Sequence, residues 1–179
     1  YSGRSELKTL TNIDRDVSLI DNNLSKKSYS LLYINELMIK LLPKDAANED
    51  LFNLYSNFIE AATKEVDMNF LLRSFELDLL DMLGYGINFQ TDIDAHEPID
   101  ASLDYIFIAE RGFQISNKAP DFSGQDIIDI RNRNLINVSS NKLKQLTQAT
   151  IMFCLEGKDL NSRQIFRRLQ KWSMALAQT

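Results

Sequence analysis

Five cations crowd the stretch "KDLNSRQIFRRLQK": Lys158, Arg163, Arg167, Arg168 and Lys171 fall within fourteen residues. Arg163, Arg167 and Lys171 stand four apart, so a helix puts them on one face with Arg168 beside them. Such a ridge can hold phosphate oxygens or peptide carboxylates through charge-assisted hydrogen bonds. The charge balance points the same way. Residues 1–100 carry 9 Lys/Arg against 18 Asp/Glu, and residues 101–179 carry 11 against 7. Asymmetry of this sign suggests that the second half faces an acidic partner: nucleic acid, an acidic peptide, or the chain's own first half. A solvated face that balances the acidic half is the plainer alternative.

Arg73 is the second residue of interest, a lone cation in the apolar stretch "NFLLRSFELDLL". An arginine beside an apolar groove can bind a carboxylate whose neighbouring side chain enters the groove. The alternative is a local pair with Glu76 or Glu65. Glu76, Asp78 and Asp81 crowd the same stretch, but Glu76 and Asp78 are two apart and point different ways on a helix, so they form no paired acid and base. "LGYG" has neither of the phosphate-cradling spacings GxGxxG and GxxxxGK[ST]. His96, in the polar "TDIDAHEPIDAS", has no second His or Cys at ligand spacing and reads as a solvated loop histidine. Cys154, in "ATIMFCLEG", reads as a small buried apolar residue. A single cysteine makes no internal disulfide and fits a reducing cytoplasm. No nucleophile–base or metal constellation can be assembled from the sequence, so the expected function is non-enzymatic.

The elements that carry these residues are mostly helical. Length, with 44% hydrophobic and 25% charged residues over 179 positions, suits one soluble domain, or one domain plus a fragment. No apolar run approaches the roughly 20 residues of a membrane span. "GRSELKTLT" opens as a strand, with Leu7, Thr9 and Thr11 alternating with Glu6, Lys8 and Leu10, and "NIDRDVSLIDNNLSKK" reads as a connector. A helical stripe follows through Leu31, Ile34, Leu37, Met38, Leu41 and Leu42, and Pro43 ends it. A second stripe runs through Leu51, Phe52, Tyr55, Phe58, Ile59 and Ala62. The third and most apolar runs through Leu72, Phe75, Leu79 and Leu83, with Gly84 and Gly86 as its stop. Three such helices joined by short loops should pack as a bundle. Tyr105, Phe107 and Ala109 then alternate with Ile106 and Ile108, Glu110-Arg111-Gly112 turns, and Phe113 and Ile115 return: a β-hairpin. Three more helix starts follow, at Ser123 with Asp126 three residues on, at Ser139 or Ser140, and at Asn161 or Ser162.

These pieces together resemble the RecO family of bacterial DNA-repair proteins. The resemblance rests on "GRSELKTLT", "LYINELMIKLL", "LLRSFELDLLDMLGYGINF", "GFQIS", "FSGQDI" and "LNSRQIFRRL", which come in family order across nearly the whole chain. It implies a mainly α fold: a helical C-terminal domain over residues 16–179, with a β-hairpin insertion at 103–116. Before it, residues 1–15 are expected to be the remnant of an N-terminal OB-fold whose earlier strands this chain lacks. It implies a cytoplasmic, nucleoid-associated recombination mediator. Such a protein binds and anneals single- and double-stranded DNA, mainly through the OB-fold. It also binds the acidic, phenylalanine-ended tail of the single-stranded-DNA-binding protein SSB, and acts with RecR to load RecA. The competing expectation is a helical interaction module with no nucleic-acid role of its own.

The terminal phenylalanine of such a tail needs an apolar pocket, and its carboxylate and neighbouring aspartates need cations. The "LLRSFELDLL" helix offers both, with Arg73 at the edge. Leu37, Leu41, Phe52 and Tyr55 are expected to wall the pocket with Leu72, Phe75 and Leu79, although residues of these types also serve as plain core. The ridge of Lys158, Arg163, Arg167, Arg168 and Lys171 then meets either the DNA backbone or the acidic tail. Many members of the family carry four zinc-binding cysteines after the "LGY" segment. Here "GINFQTDIDAHEPIDAS" has none, as in a zinc-free branch, so no metal or other cofactor is expected and packing must hold the loop. Metal analysis of the purified protein should find no stoichiometric zinc.

Overall fold

A computed structural model describes residues 24–43 and 48–176, with side chains from 27–43 and 48–168. The expected OB-fold remnant at 1–15 lies outside the described residues. The described residues begin with three helices: α1 (Leu24–Leu41), α2 (Glu49–Thr63) and α3 (Met68–Met82). A small sheet follows, of β1 (Asp104–Ile108), β2 (Gly112–Ile115) and β3 (Phe122–Ser123). Then come α4 (Gly124–Arg131), a 3-10 turn at Leu135–Asn137, α5 (Ser140–Cys154) and α6 (Asn161–Leu176). Among the described residues the protein is mainly helical with one small antiparallel sheet, and no helix is long and apolar enough to cross a membrane.

Local chemistry sets the boundaries. Asn48 caps α2 by accepting the Leu51 N–H at 3.0 Å, and Glu49 and Asp50 lie in the first turn, where the helix dipole favours acids. Asp67 caps α3, and Gly84, at φ +80°, closes its far end in the left-handed conformation that glycine adopts without steric cost. Ser123 and Asp126 form a reciprocal capping box at the start of α4, and Ser139 caps α5. Helix α1 begins at Leu24, so the last residues of the expected connector are already helical.

The hairpin pairs Tyr105 with Ile115 and Phe107 with Phe113, in the expected alternation. The sequence reading missed β3. Its two residues pair with Asp104 and Tyr105 on the other edge of β1, giving the order β2-β1-β3. The loop before the sheet closes on itself around Asp92, which is 2% exposed. Its carboxylate accepts the N–H groups of Asp94 at 2.9 Å, Ala95 at 2.8 Å and Glu97 at 3.0 Å. The hydrogen bond from Ala95 leads in holding this carboxyl below the usual aspartate range, against the opposing effect of burial.

Among the described residues two apolar clusters form the core. One lies under the sheet and holds Tyr105, Phe113, Phe122, Ile127, Leu143 and Leu146 among others. The second fills the helical part with Ile34, Leu37, Phe58, Phe75, Leu79 and Ile151. Helix α3 serves both, since Leu77 faces the first cluster while Phe75, Leu79 and Leu80 face the second. The stripe read for α2 is right for Leu51, Phe58 and Ala62 but not for Phe52, which is 67% exposed. Leu54 packs on the cluster, on a side of α2 that the stripe had not included.

Gly124 sets the join between sheet and α4. Its N–H donates to the Leu103 carbonyl at 2.7 Å, and a Cβ there would lie 1.8 Å from the Asp100 carbonyl oxygen. Gly124→Ala should therefore destabilise the fold by about 3 kcal/mol, the upper end of the usual overpacking range. Urea unfolding followed by circular dichroism would measure it, and an unchanged midpoint would contradict the contact.

Candidate functional site

Glu76 is the only fully buried acidic side chain among the described residues, at 0% exposure. Three helices answer it. From α1, the Tyr33 hydroxyl donates a short hydrogen bond to Oε1. From its own helix, Arg73 Nη1 lies 2.8 Å from Oε2 as an ion pair that lacks hydrogen-bond geometry. The same Arg73 nitrogen donates to Thr147 Oγ1 on α5 at 3.0 Å. From α6, Arg163 Nη2 donates to the Tyr33 hydroxyl oxygen at 3.1 Å, and its guanidinium lies 5.3 Å from the Tyr33 ring centroid. Burial first, then the neighbouring Glu76 carboxylate, pushes the Tyr33 hydroxyl well above the usual phenol range, against the pull of Arg163. The hydroxyl therefore keeps its proton.

One turn along α1, Glu36 holds the start of α6. Its two oxygens accept the backbone N–H groups of Asn161 at 2.8 Å and Ser162 at 2.7 Å. A helix N-terminus leaves such groups without partners, and here a carboxylate from a distant helix supplies them. Burial opposes ionisation of Glu36, but hydrogen bonding from Ser162, then from the Asn161 N–H, with the Lys40 charge last, outweighs it and holds the carboxyl below its ordinary value of 4.5.

Beside the network, α1, α3, α5 and α6 border a cleft of about 220 Å³. Its apolar lining comes from Tyr29, Tyr33, Met68, Leu72 and Phe166, and Tyr29 and Phe166 meet with ring centroids 5.9 Å apart. Arg73, Lys144 and Arg163 supply its cations, and Ser140 and Gln148 line it from α5. An apolar floor beside cations suits a ligand with an apolar end and an anionic group.

Of the residues expected to wall a tail pocket, only Leu72 and Arg73 line this cleft. Leu37, Phe75 and Leu79 are enclosed in the helical core, and Leu41 packs partly buried against it. Tyr55 is also part-buried, donating its hydroxyl to Asn35 at 2.8 Å, and Phe52 points to solvent. Arg73 is 7% exposed and takes the local pair with Glu76 that was its alternative reading. In the basic set, Lys158 pairs with Glu156 and Arg167 with Asp159, each at 3.1 Å. Arg163 turns to Tyr33, Arg168 is exposed, and the Lys171 side chain lies outside those described. Sequence reasoning missed Lys144, Tyr29, Tyr33 and Phe166 as cleft residues. For Phe166 the signal was its neighbour Arg163, three positions back and so on the same side of α6.

Two outcomes follow from this geometry. Arg73→Ala leaves a buried carboxylate without its cation and should destabilise the protein by about 3–5 kcal/mol in urea unfolding. Glu36 has a depressed folded pKa, so its contribution is complete above 4.5 and is lost as pH falls through the folded value. Acid titration of stability should therefore show a component below pH 4.5 that Glu36→Gln removes.

Comparison with known proteins identifies the family. The family model "Recombination protein O C terminal" matches residues 25–164. DNA repair protein RecO of Psychromonas ingrahamii is 34% identical over 171 residues, covering 93% of this chain and 73% of that protein. The RecO proteins of Pseudoalteromonas atlantica and Pectobacterium atrosepticum are 31% and 34% identical, covering 93% and 94% of this chain and 70% of each relative. With the match running from α1 into the first turn of α6, which holds the network and all of the cleft lining but Phe166, the chain belongs to the RecO family, whose role is DNA repair and recombination.

Proposed function

We propose that this chain works as a recombination mediator and that its cleft takes the acidic C-terminal tail of the single-stranded-DNA-binding protein. The observation that carries the reading is the meeting of an apolar lining with Lys144 and Arg163, neither of which has an ion-pair partner among the described residues. The terminal phenylalanine fits against Leu72, Met68 and Phe166. The terminal carboxylate and the acidic residues before it fit Lys144 and Arg163. Arg73 forms part of the wall. Family membership supports, as part of the same proposal, action with RecR to load RecA and the binding and annealing of DNA.

The ridge of α6 supports a peptide partner more than a DNA partner. Arg167 and Lys158 are each paired with an acid, and Arg163 is turned inward, which leaves few cations in a row for a phosphate backbone. Exposed pairs of this kind are worth little, so Arg167 can exchange Asp159 for a ligand carboxylate.

Fluorescence anisotropy with a labelled acidic peptide ending in phenylalanine tests the reading. Lys144→Ala and Leu72→Ala should each weaken binding about tenfold, equivalent to about 1.4 kcal/mol. A labelled oligonucleotide, titrated across salt, tests the DNA role. Steep loss of affinity with salt, abolished by replacing Arg163, Arg167 and Arg168 with alanine, would assign the ridge to phosphate. Peptide binding without oligonucleotide binding would leave this chain as a protein-interaction module. Failure of the unaltered chain to bind the peptide would remove the tail from the cleft.

A further inference from the structure

We infer that Tyr33 is a positioning residue for the cleft: its hydroxyl, anchored by Glu76, fixes Arg163 where it receives a ligand carboxylate, so that Arg163 rather than Arg73 reads that group. The inference rests on the tail-binding reading above.

The cations around the cleft differ in how far their charge is already answered. Arg73 lies 2.8 Å from a fully buried carboxylate and donates to Thr147, so its charge is balanced inside the protein. Arg163 has instead a neutral acceptor, the Tyr33 oxygen at 3.1 Å, and a neutral ring face at 5.3 Å. An arginine held this way keeps its net charge for a ligand.

The orientation is set by hydrogen-bond chemistry. A tyrosine hydroxyl has one proton to donate and lone pairs with which to accept. Here the proton goes to Glu76, so the lone pairs are left for Arg163, which can only donate. A chain of this kind polarises along its length, the carboxylate strengthening the oxygen as an acceptor. With the ring face as a second restraint, the guanidinium is held before a ligand arrives, and binding loses less side-chain entropy. Glu76 thus does two things with one carboxylate. It neutralises Arg73 directly and orients Arg163 through Tyr33.

The test compares an acidic peptide ending in phenylalanine with a free carboxylate against the same peptide with its terminus amidated. Tyr33→Phe keeps the ring and removes the acceptor. It and Arg163→Ala should each weaken the free-carboxylate peptide about tenfold, and the double variant should be no weaker than Arg163→Ala alone. The amidated peptide should bind the unaltered chain and both variants alike, an outcome that general damage to the fold cannot produce. If Tyr33→Phe does not fold, Arg163→Lys decides. It keeps the charge but loses the planar fork, and it should bind the free-carboxylate peptide as weakly as Arg163→Ala. Unchanged binding in Tyr33→Phe, losses that multiply in the double variant, equal losses with the amidated peptide, or full affinity in Arg163→Lys would each overturn the inference. In those cases peptide binding by the unaltered chain persists and the tail reading stands. Absence of binding by the unaltered chain would take down the tail reading, and this inference with it.

Discussion

A carboxylate with no exposed surface is the constraint around which the helical part is arranged. Burying Glu76 is unfavourable unless cations and donors surround it, because the interior cannot solvate its charge as water does. The sequence meets the requirement from three directions: Arg73 three residues earlier, Tyr33 from α1, and Arg163 behind Tyr33 from α6. An apolar contact tolerates sliding, whereas a hydrogen bond does not. This cluster therefore ties α1 and α6 to α3 at defined positions, a specificity that leucine packing alone supplies poorly.

Helix α3 is the element that makes this possible. It is apolar toward the sheet at Leu77, apolar toward the helices at Phe75, Leu79 and Leu80, and charged in between at Arg73 and Glu76. Its remaining acids, Asp78 and Asp81, meet Arg133 from the turn after α4 at 2.9 and 2.6 Å. Nearly every side of the helix is thus in use. The cleft forms where the enclosure ends, at Met68, Leu72 and Arg73 near its N-terminal end.

The helices were legible in the sequence because their stripes, caps and stops agree. Ile34 and Leu37, Phe58 and Ala62, Phe75 and Leu79 all fall on the expected faces. The divergence of Glu76 from Asp78 was legible too, from spacing alone. The expected pocket was less so. Periodicity identifies an apolar face but does not say whether it meets a ligand or another helix, and for Leu37, Phe75 and Leu79 it meets other helices. Phe52 fitted the stripe of α2 by spacing, but the neighbouring helices cover a different arc of that helix. A strand as short as β3 leaves no alternation to read, and it exists because the edge of β1 offers it partners. Lys144 and Tyr29 carried no local signal, since what makes them cleft residues is the convergence of α5 and α1.

The attachment of α6 to α1 has a consequence for motion. Tyr33 and Glu36 lie on one turn of α1 and hold the first turn of α6, one through a side chain and the other through the backbone. Neither apolar cluster has a described α6 side chain among its buried members. Among the described side chains, detaching the start of α6 breaks these hydrogen bonds and the Tyr29–Phe166 ring contact and leaves the buried members of both clusters in place. In the terms of native-state exchange, such an attachment is expected to give the first turn of α6 an opening of lower energy than global unfolding. Ser162, Arg163 and Phe166 near the start of α6 line the cleft, so exchange at the first amides of α6 is expected to report on the cleft, and exchange at those of α3 on the whole fold.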